Sequence, residues 1–465
     1  MAQFKLIRDI PVEESYDLLV AGGGPAGTAA AVCAARLGAK VLLVEATGCL
    51  GGMGTSGLVS AFDPMADGKR ALVGGFMREV VETLYSRGFL KPDIDPDSWR
   101  KSYHVWTPFN PEGLKLVLDE KAVQAGVEVR FFTRVIDADT DAASGRLNGV
   151  VIQNIEGYAC IRAKTYIDAT GDSVLAFLAG AGCREAGRDT AHIMPATLAA
   201  LFANVDWQET ALRTQTPEVV ALIEEEYAAG NFEVLDRHLV GISRIGETIG
   251  YLNGGHVYNL NATKVSDLTH GMMQGRRIAQ DNQRFLRKYS PNCRHMELVS
   301  TASLMGIRES RRIIGEYELN IEDYLARRTF PDQIGVFNKF VDIHAYDTSR
   351  AEYDRLIEEI HHSGRLNPGE YFGLPYGILV PRGWTNLWVA GRCNSSDVKV
   401  HGSIRVMPAC AMMGQAAGTA AVQSIQTGQP ANDLDTAVLV ETLRANGAFL
   451  PQTRLSRTLT RDACS

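Results

Sequence analysis

Residues 16–45 read YDLLVAGGGPAGTAAAVCAARLGAKVLLVE, and the order of apolar, glycine-rich and alanine-rich stretches within them sets the fold. Residues 16–21 are a short apolar run that stops at glycine, the pattern of a parallel strand buried on both faces. Pro25 suits the first turn of a helix, where a missing N–H costs nothing. Alanine-rich sequence continues to Leu37, and Gly38 stands where a helix C-terminus needs glycine. Residues 40–45 (KVLLVE) give the second strand, so the segment predicts a βαβ unit with a right-handed crossover. Between strand and helix lies Gly22-x-Gly24-x-x-Gly27. Gly22 permits the tight turn, Gly24 lets a pyrophosphate approach the backbone, and Gly27 lets the helix pack closely on the strand. The helix N-terminus then offers unpaired N–H groups to phosphate. Glu45, at the end of the second strand, is placed to accept ribose hydroxyls. Together these features predict dinucleotide binding; the plainer alternative is a tight turn without a ligand and a solvated strand-end acid. Residues 18–35 carry no charge and match a membrane span in length, but Pro25 and four glycines interrupt them.

Outward from this unit, residues 48–58 (GCLGGMGTSGL) are glycine-dense. A plain NAD dehydrogenase needs no such loop after the acid, whereas Gly51-Gly52 would let the chain run beneath a flat ring system; a flexible surface loop is the competing reading. Residues 111–124 read as a helix and 127–132 as a strand. Residues 149–155 and 159–163 read as an antiparallel pair, and 165–169 as another buried strand. From about residue 190 to 370 the parallel-sheet style lapses. Thr216-Pro217 opens a helix, Thr269 caps another through Tyr289, and Asn320 caps a third. The style returns at 386–390 and in the alanine- and glycine-rich helix 408–424. The expected fold is therefore α/β: a Rossmann-like domain of parallel sheet and β-meander (1–60, 111–190 and 375–465) with an inserted mixed α+β substrate or cap domain (61–110 and 191–374).

The 465 residues carry 47 basic and 54 acidic groups, a net charge of −7, which leaves no electrostatic footprint for nucleic acid. The eight cysteines form no CxxC, so zinc-knuckle and iron–sulfur spacings are absent, and the histidines show no ligand spacing; no metal is expected. The opening residues lack the apolar core of a secretory signal, so reduced thiols and a cytoplasmic location are expected.

The glycine motif, YIDATGD (166–172), NLWVAGRC (386–393) and HGSIRVMPACAMMGQAAGTAA (401–421) resemble the FAD-dependent oxidoreductases related to glutathione reductase and fumarate reductase flavoproteins. GIRESRRIIGEY (306–317), FVDIHAYD (340–347) and LPYGILVP (374–381) fit the same family, and the resemblance is collinear over nearly the whole chain. It implies FAD as cofactor. Gly22, Gly24, Pro25, Ala26 and Gly27 would surround the pyrophosphate, with Glu45 and Ala46 at the adenosine ribose. Cys49, Gly51, Gly52, Met53 and Thr55 would line the flavin and ribitol. Val135 would touch adenine through its backbone; Ala169, Gly171 and Asp172 would close over the nucleotide. Gly391 and Arg392 stand where many relatives carry Gly-Asp or Gly-Glu, so Arg392 departs from the pattern and could meet phosphate instead. The helix holding Met407 and Gly414 would aim its N-terminus at the flavin pyrimidine. No second GxGxxG follows a strand, so a built-in NAD(P)H domain is not expected.

Hydride transfer from a carbinol carbon needs a base for the hydroxyl proton. His401 stands just before that helix. Asp342-x-His344 would place both side chains on one face of a strand. Each histidine also fits a structural role. Arg308 and Arg405 could clamp a carboxylate or phosphate, while Arg311 and Arg312 equally suit ion pairs with Glu309 and Glu316. Tyr376 could bind substrate or simply pack. The reading is an FAD-dependent oxidoreductase that oxidises a small polar molecule (sugar, polyol or hydroxy acid) by hydride transfer to flavin N5. The alternatives are a reductase of an activated C=C bond, an FAD-carrying electron-transfer subunit, and a flavin monooxygenase. Substrate, electron acceptor and oligomeric state stay open.

Overall fold

A computed structural model describes residues 5–451 except 101–105, 142, 189 and 363–364. The βαβ unit forms as read: β1 (Val12–Ala21), α1 (Pro25–Arg36) and β2 (Val41–Val44). There follow α2 (Gly75–Ser86), α3 (Pro111–Ala125), β3 (Glu128–Arg130), β4 (Arg134–Asp141), β5 (Arg146–Asn154) and β6 (Gly157–Asp168). Far along the chain come α4 (Val265–Tyr289), β7 (Leu387–Val389), α5 (Val398–Ile404) and α6 (Met407–Thr427).

The main sheet runs β3-β2-β1-β6-β5-β4, with β7 also on β6. Pairings β3–β2–β1–β6 and β6–β7 are parallel, while β4–β5–β6 is an antiparallel meander. The expected separate strand at 165–169 is the second half of β6. Its first half pairs with β5 through Ile161, and its second half pairs with β7 from Tyr166. One long strand thus changes neighbours midway, and the change in sequence character marks that handover. Leu18 and Val20 enter the core on one face of the sheet, and Leu19 and Ala21 enter a second core on the other. Burial on both faces explains the unbroken apolar run, each large side chain contributing roughly 1.5–3 kcal/mol.

Between these parts lies a second, antiparallel sheet in the order Ser243–Arg244, Gly250–Leu252, Ala200–Ala203, Glu297–Thr301. The long α4 packs beside it; Ala279, Phe285 and Leu286 join Phe202 and Leu252 in a third core. Helix α4 begins four residues before Thr269, whose hydroxyl donates to the Val265 carbonyl inside the helix. The expected cap there is therefore wrong, because a threonine hydroxyl bonds back to i−4 as readily as it caps. Thr216 and Asn320 do cap their helices, accepting from Val219 N and Asp323 N. No helix among the described residues is long and apolar enough to cross a membrane.

Candidate functional site

The turn after β1 is built from backbone. Gly22 has φ +96° and donates to the Val44 carbonyl at 2.8 Å. A Cβ on Gly22 would lie 2.6 Å from Ala169 O, and one on Gly27 would lie 1.7 Å from Gly22 O. A Cβ on Gly24 would meet nothing within 4 Å. The space before α1 is thus left open by the protein's own atoms at the one glycine that neither turns nor packs. No side chain caps α1, so its first-turn N–H groups face that space. Beside it, Glu45 is buried, with Oε2 accepting from Gly23 N at 2.6 Å and Oε1 from Thr47 N at 2.7 Å. Both oxygens keep a second lone pair. The donor set, open cradle and adjacent carboxylate fit the diphosphate and ribose of FAD.

The glycine-dense loop lies against this turn, for a Cβ on Gly52 would sit 3.0 Å from Gly24 Cα. Gly51 has φ +98°, Thr55 donates to Leu50 O at 2.6 Å, and Met53 is half-buried beside them. Cys49 Sγ is 3.2 Å from Ser56 Oγ, and Ala46 is exposed. Val135 sits in β4 opposite Ile152, joined to the Glu45 strand end by Thr133 N donating to Glu45 O. Ala169, Gly171 and Asp172 follow β6 on the other side of Gly22. Arg392 ties Asp172 Oδ1 at 2.7 Å to the Ile307 carbonyl, so its guanidinium serves an internal ion pair rather than an open phosphate.

Helices α1 and α6 touch backbone to backbone. A Cβ on Gly414 would lie 2.0 Å from Ala26 O, and one on Gly418 would lie 2.3 Å from Ala30 O. Gly414 therefore serves the packing of the two helices. Gly391 also lies against Ala26, and α6 opens at Met407, nearly two turns before the level of Ala26, with no side chain capping it.

A second group of polar residues comes together from five separate stretches. Lys339 pairs with Asp63 and lies 3.8 Å from Asp342 Oδ2. Arg405 donates to the Asp342 carbonyl at 2.9 Å and lies 3.6 Å from its carboxylate. His344 Nε2 is 3.6 Å from Asp342 Oδ1, and its Nδ1 is 3.0 Å from His256 Nε2. His256 Nδ1 is in turn 3.1 Å from Asp236 Oδ1. Residues 338–345 form no strand, so Asp342 and His344 meet through an extended segment rather than a strand face. Burial alone would raise the Asp342 pKa, but Lys339, Arg405 and Arg308 together hold it below the usual carboxylate range. Burial, reinforced by the Arg308 charge, drives the His344 pKa well below an ordinary histidine. His238, beside them, falls to about 4 through burial and the neighbouring His256.

His401 is in α5 and fully buried, its Nε2 on the Arg308 carbonyl at 3.2 Å and its Nδ1 without a partner. Burial and the charges of Arg312 and Arg405 keep it neutral. It lies against the Arg308 backbone. Arg308 donates to Pro195 O at 2.6 Å and Thr197 Oγ1 at 3.0 Å. Tyr376 is not brought to the cluster. Its hydroxyl donates to Ala431 O at 2.8 Å and accepts from Trp388 Nε1 at 2.7 Å, inside the main core. Arg312 pairs with Glu309, as its structural alternative expects, and Arg311 stacks over Phe177. Asp63, Asp236, His238, His256 and Lys339 were not singled out in the sequence; the signal that could have found two of them is Asp236-x-His238, the same spacing as Asp342-x-His344. The seven described cysteines are unpaired, and Cys464 lies outside the described residues.

Comparison with known proteins agrees with the cradle. The model of the family described as FAD dependent oxidoreductase matches residues 17–443. A 45-residue stretch is 51% identical to dihydrolipoyl dehydrogenase of Trypanosoma brucei brucei; it covers 10% of this chain and 9% of that enzyme. Among solved structures, a geranylgeranyl bacteriochlorophyll reductase-like protein of Thermoplasma acidophilum is 14% identical, covering 93% of this chain and 83% of that one at a TM-score of 0.48. A p-nitrophenol 4-monooxygenase of Pseudomonas putida is 13% identical, covering 93% and 88% at the same score.

Proposed function

Because the chain belongs to the FAD-dependent oxidoreductase family, and so is an enzyme that uses FAD, we propose that it oxidises a small polar substrate, a sugar, polyol or hydroxy acid. The observation that carries this reading is the buried, unpartnered Nε–H of Arg405 beside the Asp342–His344 pair: a donor without an acceptor, next to a proton acceptor. When bound, FAD would supply the acceptor for a hydride. Arg405 and Arg308 would hold the substrate's oxygens, and Lys339 would keep Asp342 ionised. The proton released by a substrate hydroxyl would go to the Asp342–His344 pair. His401, through the Arg308 carbonyl, would fix the anchor. Gly22, Gly24, Gly27, Glu45, Gly51, Gly52, Thr55 and Val135 remain the proposed FAD contacts. With a two-part division at residues 61, 111, 191 and 375, the cluster would lie at the seam, since Arg405 comes from one part and Asp342 and His344 from the other. Kinship with glutathione reductase and fumarate reductase flavoproteins, and a cytoplasmic location, are part of the same proposal.

The second reading reverses electron flow and reduces an activated C=C bond; the paired arginines favour it, because an enoate carries a carboxylate for them to grip. Anaerobic titration separates the two. Bleaching of oxidised flavin by a sugar or hydroxy acid supports the first, and reoxidation of dithionite-reduced flavin by an enoate supports the second. Protein that stays colourless after addition of FAD removes both.

A further inference from the structure

His238, His256 and His344 each place a ring nitrogen within 4.8 Å of the others. Nε2 of His256 and Nδ1 of His344 are 3.0 Å apart. A hydrogen bond would account for these two rings but not for the third. Carboxylates stand beside two of the rings, Asp236 Oδ1 at 3.1 Å from His256 Nδ1 and Asp342 Oδ1 at 3.6 Å from His344 Nε2, while His238 Nε2 accepts from the Gln215 side-chain amide nitrogen at 3.1 Å. The carboxylates beside His256 and His344 are what metal-binding imidazoles carry, since they hold the proton on the outer nitrogen and turn the remaining lone pair inward. Ligands about 2.0–2.1 Å from a tetrahedral ion lie a little over 3 Å from one another, which the His256–His344 pair already matches. His238 is on a half-buried loop and needs only a small approach. Asp236 and Asp342 supply two negative charges against a dication, and Arg308 and Arg405, which also act on His344, disfavour a higher charge.

We propose that His238, His256 and His344 bind one divalent transition-metal ion of the zinc type, with a fourth position left for a small oxygen ligand. The site goes beyond the flavin reading and does not depend on it. It also sharpens that reading: an ion on Nδ1 leaves the His344 proton on Nε2, facing Asp342, so Asp342 becomes the member of the pair open to a substrate proton.

The test uses the full-length, FAD-loaded protein, stripped with a chelator and dialysed against Zn2+. Zinc by elemental analysis and flavin by absorbance are measured on the same sample. About one zinc per chain is expected, falling to background in His256→Ala with flavin content unchanged. Asp236→Asn should weaken zinc binding by about 10–100-fold through the lost outer partner. If His256→Ala fails to fold, His238→Gln on the looser loop takes its place and should likewise lose the ion. Flavin-replete protein that takes up no zinc, or a folded histidine variant that keeps the parent's stoichiometry, overturns the site. Since flavin is read separately, a failure of FAD binding cannot be mistaken for a failure of the metal site.

Discussion

The cradle before α1 and the polar cluster around Asp342 are built on opposite principles. The cradle is made of backbone and absent side chains. Gly22, Gly24 and Gly27 lie within six residues, and each does one geometric task. The cluster is made of charged side chains from stretches between residues 63 and 405, held against one another in a poorly solvated interior. A backbone site tolerates no added atoms; a charged site tolerates no missing partner. The two should therefore fail in different ways.

Loss of one partner in the cluster should give the largest effect. Lys339→Met leaves Asp63 buried without its cation and should cost about 3–5 kcal/mol in urea unfolding. Adding Asp63→Asn should recover most of the loss; no recovery would mean that the pair is not what holds the two segments. Next comes a contrast inside the cradle. Gly27→Ala drives a Cβ into the Gly22 carbonyl and should cost about 3 kcal/mol. Gly24→Val points into open space, so stability of the FAD-free protein should change by no more than about 0.5 kcal/mol, while bound FAD by absorbance is lost. Equal behaviour of the two variants would dissolve the distinction between turning, packing and binding glycines. Tyr376→Phe strands the Trp388 N–H and the Ala431 carbonyl and should cost about 1–3 kcal/mol, with turnover per folded molecule unaltered. The smallest effect is at the surface beside α1. Arg36 first, and then Lys121, hold Glu79 at about 2 against an ordinary 4.5. A lowered acid stabilises the fold above its unfolded pKa, so this contribution is complete above pH 4.5 and disappears as pH falls toward 2. Solvent screening limits it to about 1 kcal/mol or less, measured as the pH-dependence lost in Glu79→Gln.

The same contrast explains what could be read from the sequence. Strand, turn, helix and acid in the cradle are neighbours in the chain, so Pro25, Gly38 and Glu45 announce local geometry directly. The cluster has little local grammar. Asp342-x-His344 was visible as a pair, but the strand face invoked for it does not exist, and its partners His256 and Asp236 lie in another part of the chain. His401 drew notice by its motif, yet it lies buried against the Arg308 backbone. Gly414 is one more glycine to the eye, and its packing task shows only in what stands opposite it, the Ala26 carbonyl. Tyr376 lies in a motif of the family and turns its hydroxyl into the core, which only the position of Trp388 reveals.

The contact of Gly414 and Gly418 with Ala26 and Ala30 also dictates a schedule. On the ribosome the first half of the cradle emerges well before the helix that buttresses it, which is made about 390 residues later. At roughly 5–20 residues per second the nascent chain waits tens of seconds with a bare alanine ridge on α1. Cofactor capture should thereby wait until α6 has been made, and truncation before residue 414 should yield a chain that chaperones retain rather than a smaller flavoprotein.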